Sequence, residues 1–82
     1  MDIVLSEHAR YQMRERNISE KVVHEAVLHP DHTVPQGLRT RFLRFVAQTE
    51  KRKLMVVIAE VHDTTCTVVT VFVTSKVAKY IP

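Results

Sequence analysis

The amino-acid sequence predicts a small α+β domain in which two N-terminal helices pack on an antiparallel sheet of three to four strands. The chain has 82 residues, a length that fits a single domain over residues 1–82 and leaves no room for two cores. Apolar residues recur at helical spacing before Pro30, whereas strand-like segments rich in β-branched residues follow residue 39. The predicted order of elements is therefore (β)ααβββ, where the bracketed strand is the short apolar segment Ile3–Leu5.

Two serines mark where the predicted helices begin. Ser6 precedes a helix over Glu7–Arg16, and Ser19 precedes a second helix that ends before Pro30. Serine is a good N-cap, and the residue before a proline avoids the α region. The second helix carries one apolar stripe, which consists of Val22, Val23, Ala26 and Val27. Because the connection between the helices is short, we expect a helical hairpin or corner.

The second half of the chain is predicted to supply the sheet. Residues 30–39 contain two prolines and the only glycine, and are predicted to form a loop. The connections Thr49–Arg52 and His62–Thr64 are short, which favours hairpins and an antiparallel meander. The strands themselves are predicted from segments rich in Val, Phe, Ile and Thr that lack Pro and Gly: Thr40–Gln48, Lys53–Val61 and Thr65–Thr74.

The net charge of +3 is concentrated in one hairpin. Residues 39–53 carry a net charge of +5, from Arg39, Arg41, Arg44, Lys51, Arg52 and Lys53 against Glu50. Such a concentration is typical of a protein that binds a polyanion, although solvated bases that protect a sheet edge from aggregation give the same pattern.

The C-terminal segment adds two lysines and an aromatic residue. Lys76, Lys79 and Tyr80 could bind phosphate and stack a base. Alternatively, Val77 and Tyr80 cover the core while the two lysines stay solvated.

Composition and motifs argue against several classes of protein. The single cysteine, Cys66, cannot form an internal disulfide. No apolar stretch is long enough to span a bilayer, so we expect a cytoplasmic protein that does not bind membranes. His29 and His32 are separated by Pro30, which breaks the helix that would align them. No structural zinc site and no cofactor are therefore predicted, and no glycine-rich phosphate loop is present.

One row of the first helix holds the candidate catalytic residues. His8, Gln12 and Arg16 follow one another at i, i+4 and i+8. This row borders Ala9 and Met13, which are expected to face the sheet. A histidine at such a rim can serve as a general base, or it can cap the helix or pack at the edge of the core.

Four segments of the chain form a set of motifs. They are Leu5–Ala9 (LSEHA), Met13–Glu20 (MRERNISE), Pro30–Asp31 (PD) and Thr70–Lys76 (TVFVTSK) followed by Lys79–Tyr80. Together they resemble domain of unknown function family 4258, and the resemblance covers essentially the whole chain. That family is generally placed in the fold group shared by barnase, EndoU, the colicin nucleases and RelE. The resemblance implies a RelE-like toxin fold, with two helices on a four-stranded antiparallel sheet that begins with Ile3–Leu5.

The resemblance implies a metal-independent endoribonuclease of a toxin–antitoxin pair, with RNA as substrate and a small antitoxin protein as partner. His8 and Arg16 match the family's helical residues, whereas Gln12 stands where the family usually has an arginine. His8 would act as base or acid. The phosphate charge would be stabilised by Arg16, by Arg44 or Arg41, and by Lys76.

A non-catalytic module that binds RNA or a protein is the competing interpretation. The absence of a self-sufficient acid–base pair and the glutamine at position 12 favour it. In either case we expect nucleic acid to contact the basic and aromatic side chains of the second half, namely Arg39, Arg41, Lys53, Lys79 and Tyr80.

Overall fold

The computed structural model describes residues 1–48 and 51–81, which form five strands and three helices. All five strands belong to one sheet, in the order β1-β5-β4-β3-β2. β1 runs parallel to β5, and every other neighbouring pair is antiparallel. The elements are β1 (Asp2–Leu5), α1 (Glu7–Glu15), α2 (Glu20–Leu28), β2 (His32–Gln36), β3 (Arg39–Gln48), β4 (Lys51–His62), β5 (Thr65–Thr74) and α3 (Val77–Tyr80).

The predicted antiparallel sheet of three to four strands is wrong in both strand number and strand direction. The described residues form a mixed sheet of five strands, and the four-stranded antiparallel sheet implied by the family resemblance is not observed either. β1 pairs with a segment some sixty residues away, so no hairpin turn sets the direction of this pairing. The connection Thr49–Arg52, predicted as a hairpin, lies partly outside the described residues, because positions 49 and 50 are not covered.

The additional strand β2 lies where the sequence predicted a loop. Proline interrupts a strand within a sheet but is tolerated at its edge, and β2 is the last strand of the sheet. Pro35 therefore pairs with Thr40 without breaking a ladder on its outer side. Gly37 has a φ of 61° and allows the tight turn from β2 into β3.

Both long helices begin at the predicted serines. The Ser6 Oγ accepts a hydrogen bond from the Ala9 N–H at 3.0 Å, and the Ser19 Oγ accepts one from the Val22 N–H at 3.3 Å. α1 ends at Glu15, one residue earlier than predicted. α1 packs against β5, whereas α2 packs against β3 and β4. The two helices thus cover one side of the sheet, which we call the helix face.

Each face of the sheet has its own apolar core. On the opposite side, which we call the tail face, Leu43, Leu54 and Val56 are fully buried beneath the C-terminal residues 77–81. The C-terminal segment therefore covers a core, as one of the two interpretations of its sequence expected. The larger core on the helix face consists of Leu5, Ala9, Met13, Val23, Ala26, Val27, Phe42, Met55, Val57, Ala59, Cys66, Val68 and Val71.

The pairing of β5 with its neighbours is irregular in two places: a β-bulge interrupts its pairing with β4, and β1 ends before β5 does. Thr70 pairs with Ile58 and Val68 pairs with Ala59, so Val69 has no partner on β4. β1 pairs with β5 only as far as Val68. Beyond that residue, the β1 side of β5 has no neighbouring strand, and its backbone groups must find other partners.

Candidate functional site

Side chains of α1 and of its two cap residues form hydrogen bonds with the backbone of β5 at the edge where β5 has no neighbouring strand. The Gln12 Oε1 accepts a hydrogen bond from the Val71 N–H at 2.9 Å, and the Arg16 Nη1 donates one to the Val71 carbonyl at 3.3 Å. At the N-cap of α1, the Ser6 Oγ donates to the Val69 carbonyl at 3.3 Å. An arginine at position 12 could not accept from the Val71 N–H, because a guanidinium has no acceptor atom. The glutamine therefore has a structural role at this edge.

His8 lies on the same row as Gln12 but makes no such contact. Its side chain is exposed, and no hydrogen bond to its imidazole is found among the described residues. The cap of α1 is formed by Ser6 instead. Of the predicted row, the structure thus brings Gln12 and Arg16 to β5 and leaves His8 at the surface, about 12 Å along the helix axis from Arg16.

Arg44 lies on the helix face, where its Nη1 donates a hydrogen bond to the His29 carbonyl at the end of α2. It pairs across the sheet with Met55, which in turn pairs with Val73 of β5. Arg44 is thus two strands from β5, or about 10 Å between backbones.

Lys76 is exposed at the turn after β5, where its N–H donates to the Thr74 Oγ1 at 3.0 Å. The four residues predicted to be catalytic, His8, Arg16, Arg44 and Lys76, are therefore not brought together into one cluster.

A cluster of cations and aromatic rings lies on the tail face. The Arg41 Cζ is 5.5 Å from the centroid of the Tyr80 ring, and the Lys79 Nζ is 5.5 Å from the same centroid. Tyr80 also makes an edge-to-face contact with Phe72, with centroids 5.6 Å apart. The Arg41 Nε is buried and has no hydrogen-bond partner among the described residues. We refer to Arg41, Phe72, Lys79 and Tyr80 as the Tyr80 cluster.

Further cations lie on the same face as the Tyr80 cluster or at its margin. The Arg39 Nε forms an ion pair with the Glu60 Oε1 at 3.4 Å, and the Arg52 Cζ lies 3.9 Å above the Phe45 ring. Lys76 precedes α3 at the margin of this face. Glu60 is one carboxylate among the cations on and beside the described part of the tail face, which are Arg39, Arg41, Arg52, Lys76 and Lys79. A second carboxylate, Asp31, lies just before β2, where its Oδ2 accepts a hydrogen bond from the Phe45 N–H at 2.8 Å.

The structure brings most of the predicted nucleic-acid-binding residues to this one face. Arg39, Arg41, Lys79 and Tyr80 lie there, whereas Lys53 pairs with Val46 and so lies on the helix face. Arg41 and Arg44 point to opposite faces, as strand alternation predicts. The sequence interpretation missed the aromatic residues of this face, Phe45 and Phe72. Phe45 shares the alternation of Arg41 and Leu43, and that spacing could have identified it.

Three findings concern other kinds of site or environment. Among residues 1–48 and 51–81, no group of three or more histidine, cysteine, aspartate or glutamate side chains could hold a metal ion. Burial raises the pKa of the Cys66 thiol, which keeps it protonated and unreactive. No helix in this part of the chain is long and apolar enough to cross a membrane.

Comparison with curated proteins and with solved structures finds no significant match. The model of one protein family, described as a domain of unknown function (DUF4258), matches residues 5–73. That match begins at Leu5, the last residue of β1, ends at Val73 in β5, and includes both long helices. The chain therefore belongs to the DUF4258 family.

Proposed function

We propose that this protein binds single-stranded RNA through the Tyr80 cluster and the cations around it. The observation that carries this proposal is the half-buried Tyr80 ring, whose centroid is 5.5 Å from both the Arg41 Cζ and the Lys79 Nζ. Cations on such a surface neutralise phosphates, and an accessible aromatic ring can stack an unpaired base. Bases are available for stacking only where the RNA is single-stranded.

The charge balance favours the tail face over the helix face. The outer surfaces of α1 and α2, with the cap residue Arg16, carry four acids (Glu7, Glu15, Glu20 and Glu25) and four bases (Arg10, Arg14, Arg16 and Lys21). These helix charges cancel, and the strands add Arg44 and Lys53 on this face. The tail face has five cations and Glu60, so long-range attraction of a polyanion is stronger toward the tail face. In addition, Arg16 already donates a hydrogen bond to the Val71 carbonyl.

A metal-independent endoribonuclease of a toxin–antitoxin pair is the second candidate function. The Tyr80 cluster favours it because a phenol that can transfer a proton lies beside two cations. In such a reaction the 2′-oxygen attacks phosphorus, the bond to the 5′-oxygen breaks, and a 2′,3′-cyclic phosphate and a 5′-hydroxyl are formed. Tyr80 would transfer a proton, while Arg41 and Lys79 would stabilise the phosphate charge. The antitoxin would then be an acidic protein that covers the tail face.

The candidate catalytic groups Tyr80 and His8 lie on opposite sides of the sheet, so one phosphate cannot contact both. Cleavage assays on Tyr80→Phe and His8→Ala variants therefore separate two possible active sites. A loss of cleavage in Tyr80→Phe alone supports the tail face. A loss in His8→Ala alone supports the α1 row. Intact RNA with the native protein leaves the binding function and removes the enzymatic one.

Fluorescence anisotropy with a short labelled single-stranded RNA tests binding. Each phosphate contact contributes about −0.7 to the slope of log affinity against log salt concentration. We expect Arg41→Gln and Lys79→Gln each to reduce the slope by about that amount. Tyr80→Leu should weaken binding about 5- to 100-fold through lost stacking, whereas Tyr80→Phe keeps the ring and the affinity.

Lys21→Gln is the matched control, since it removes one exposed charge from α2. It should change neither the affinity nor the slope. The proposal is wrong if the native protein has no affinity for RNA at low salt, or if Lys21→Gln weakens binding as much as the tail-face variants do.

A further inference from the structure

We propose that a groove on the helix face binds a small organic carboxylate that has an apolar body and one N–H or O–H donor. The groove lies between the α1–α2 corner and the sheet and has a volume of about 430 Å³. This site is on the other side of the sheet from the Tyr80 cluster, and the inference does not depend on RNA binding.

The groove exists because the helices are shorter than the strands beneath them. A nine-residue helix such as α2 covers about 13 Å, whereas the twelve residues of β4 extend about 40 Å. Where the helical cover ends, apolar side chains of three strands form an open floor from Val46, Met55 and Val73. Small-molecule sites are typically concave, apolar and about 300–1,000 Å³ in volume, so this groove has a suitable size and lining.

Arg44 is the groove residue that favours a negatively charged ligand. Its side chain lines the groove, and one guanidinium nitrogen is held by the His29 carbonyl. A guanidinium has five N–H donors, and no carboxylate of the described residues lies within ion-pair distance of it. A ligand carboxylate would therefore meet a cation that is already oriented, and would form charge-assisted hydrogen bonds.

Glu25 is the groove residue that favours a ligand with a hydrogen-bond donor and only one negative charge. It lines the same groove without forming an ion pair with Arg44. Its carboxylate can accept a hydrogen bond from the ligand, and it repels a dianion about twice as strongly as a monoanion. A monoanion with a donor group satisfies both charged residues, whereas a phosphate dianion or an RNA strand does not.

Titrations followed by ¹H–¹⁵N NMR test the proposal with three probes. Indole-3-acetate has an apolar body, one carboxylate and one N–H donor, tryptamine has the same body with a positive charge, and phenyl phosphate carries a second negative charge. We expect indole-3-acetate to shift the amide signals of Val46, Met55 and Val73 saturably, with a Kd of about 1 mM for a ligand of this size. Tryptamine and phenyl phosphate should bind more weakly.

Single substitutions then test the roles of Arg44 and Glu25 in ligand binding. Arg44→Gln should weaken indole-3-acetate binding about tenfold or more, because a hydrogen bond to a charged group is lost. Glu25→Gln should strengthen the binding of phenyl phosphate, because an amide does not repel it. The control Lys21→Gln should leave all three titrations unchanged.

Several results would overturn the proposal. They are a lack of saturable shifts with indole-3-acetate, unchanged binding in Arg44→Gln, and binding of tryptamine that is as tight as that of indole-3-acetate. The comparison of the two indoles uses the native protein, so the test stands even if Arg44→Gln does not fold. RNA affinity plays no part in it, and failure of one proposal leaves the other intact.

Discussion

Replacing Gln12 by leucine tests whether α1 completes the free edge of β5. Leucine has about the same size but no acceptor, so the Val71 N–H would lose the bond that it donates to the Gln12 Oε1 at 2.9 Å. A buried N–H without a partner costs about 1–3 kcal/mol. This bond is only partly buried, and we therefore expect the free energy of unfolding to fall by about 1–2 kcal/mol.

The predicted loss is large enough to measure and small enough to leave the protein folded. A domain of this length has a total stability of about 4–12 kcal/mol. A loss of 1 kcal/mol lowers the melting temperature of such a domain by about 4–8 °C. Urea denaturation gives the change in free energy, and amide hydrogen exchange reports directly on the Val71 N–H, which should exchange faster in the variant.

Two further substitutions at the same position sharpen the test. Gln12→Glu keeps an oxygen that accepts from Val71, so its stability should stay close to that of the native protein. Gln12→Arg provides no acceptor and should be destabilising like Gln12→Leu. The reasoning is refuted if Gln12→Leu lies within about 0.5 kcal/mol of the native protein, the range of neutral surface substitutions, with unchanged Val71 exchange.

Three further predictions concern other parts of the fold. Ser6→Ala should lower the free energy of unfolding by about 1–2 kcal/mol, and by more than Ser19→Ala does. The reason is that Ser6 caps α1 and also donates a hydrogen bond to β5. Urea denaturation compares the two variants, and equal losses of stability would contradict the bond to β5 as a second role of Ser6. Leu43→Ala should lower the free energy of unfolding by about 3–5 kcal/mol, since Leu43 is fully buried beneath the C-terminal segment. A smaller loss in calorimetry would mean that this segment does not bury the core of the tail face. Burial raises the thiol pKa of Cys66 above 9.0, so the unfolded chain releases this proton at a lower pH than the folded chain does. The free energy of unfolding should therefore decline as the pH rises above about 9. A Cys66→Ala variant should lack that decline.

Local chemistry made several elements predictable. The N-cap residues Ser6 and Ser19 and the helix breaker Pro30 act through contacts within a few residues, and both long helices lie where these signals place them. The strands rich in β-branched residues likewise match their predicted ranges closely, most clearly Thr65–Thr74. Alternation along β3 also predicted that Arg41 and Arg44 point to opposite faces.

Other features depend on neighbours that are distant in sequence. Whether Pro35 ends a strand or belongs to one is decided by its position at the edge of the sheet. The direction of β1 follows from its pairing with β5, which no turn specifies. The role of Gln12 could not be predicted, because it exists only where β1 ends early and leaves the side of Val71 that faces away from β4 without a strand partner.

The sequence by itself determined the helices, the β-rich second half and the concentration of positive charge, since capping, proline geometry and residue type operate locally. Only the tertiary structure decided that the sheet is mixed, that Arg16 and Arg44 bind backbone carbonyls, and that Arg41, Lys79 and Tyr80 meet on one face. The physical reason is that each of these depends on which strands become neighbours and on how far the helices and the C-terminal segment reach across them.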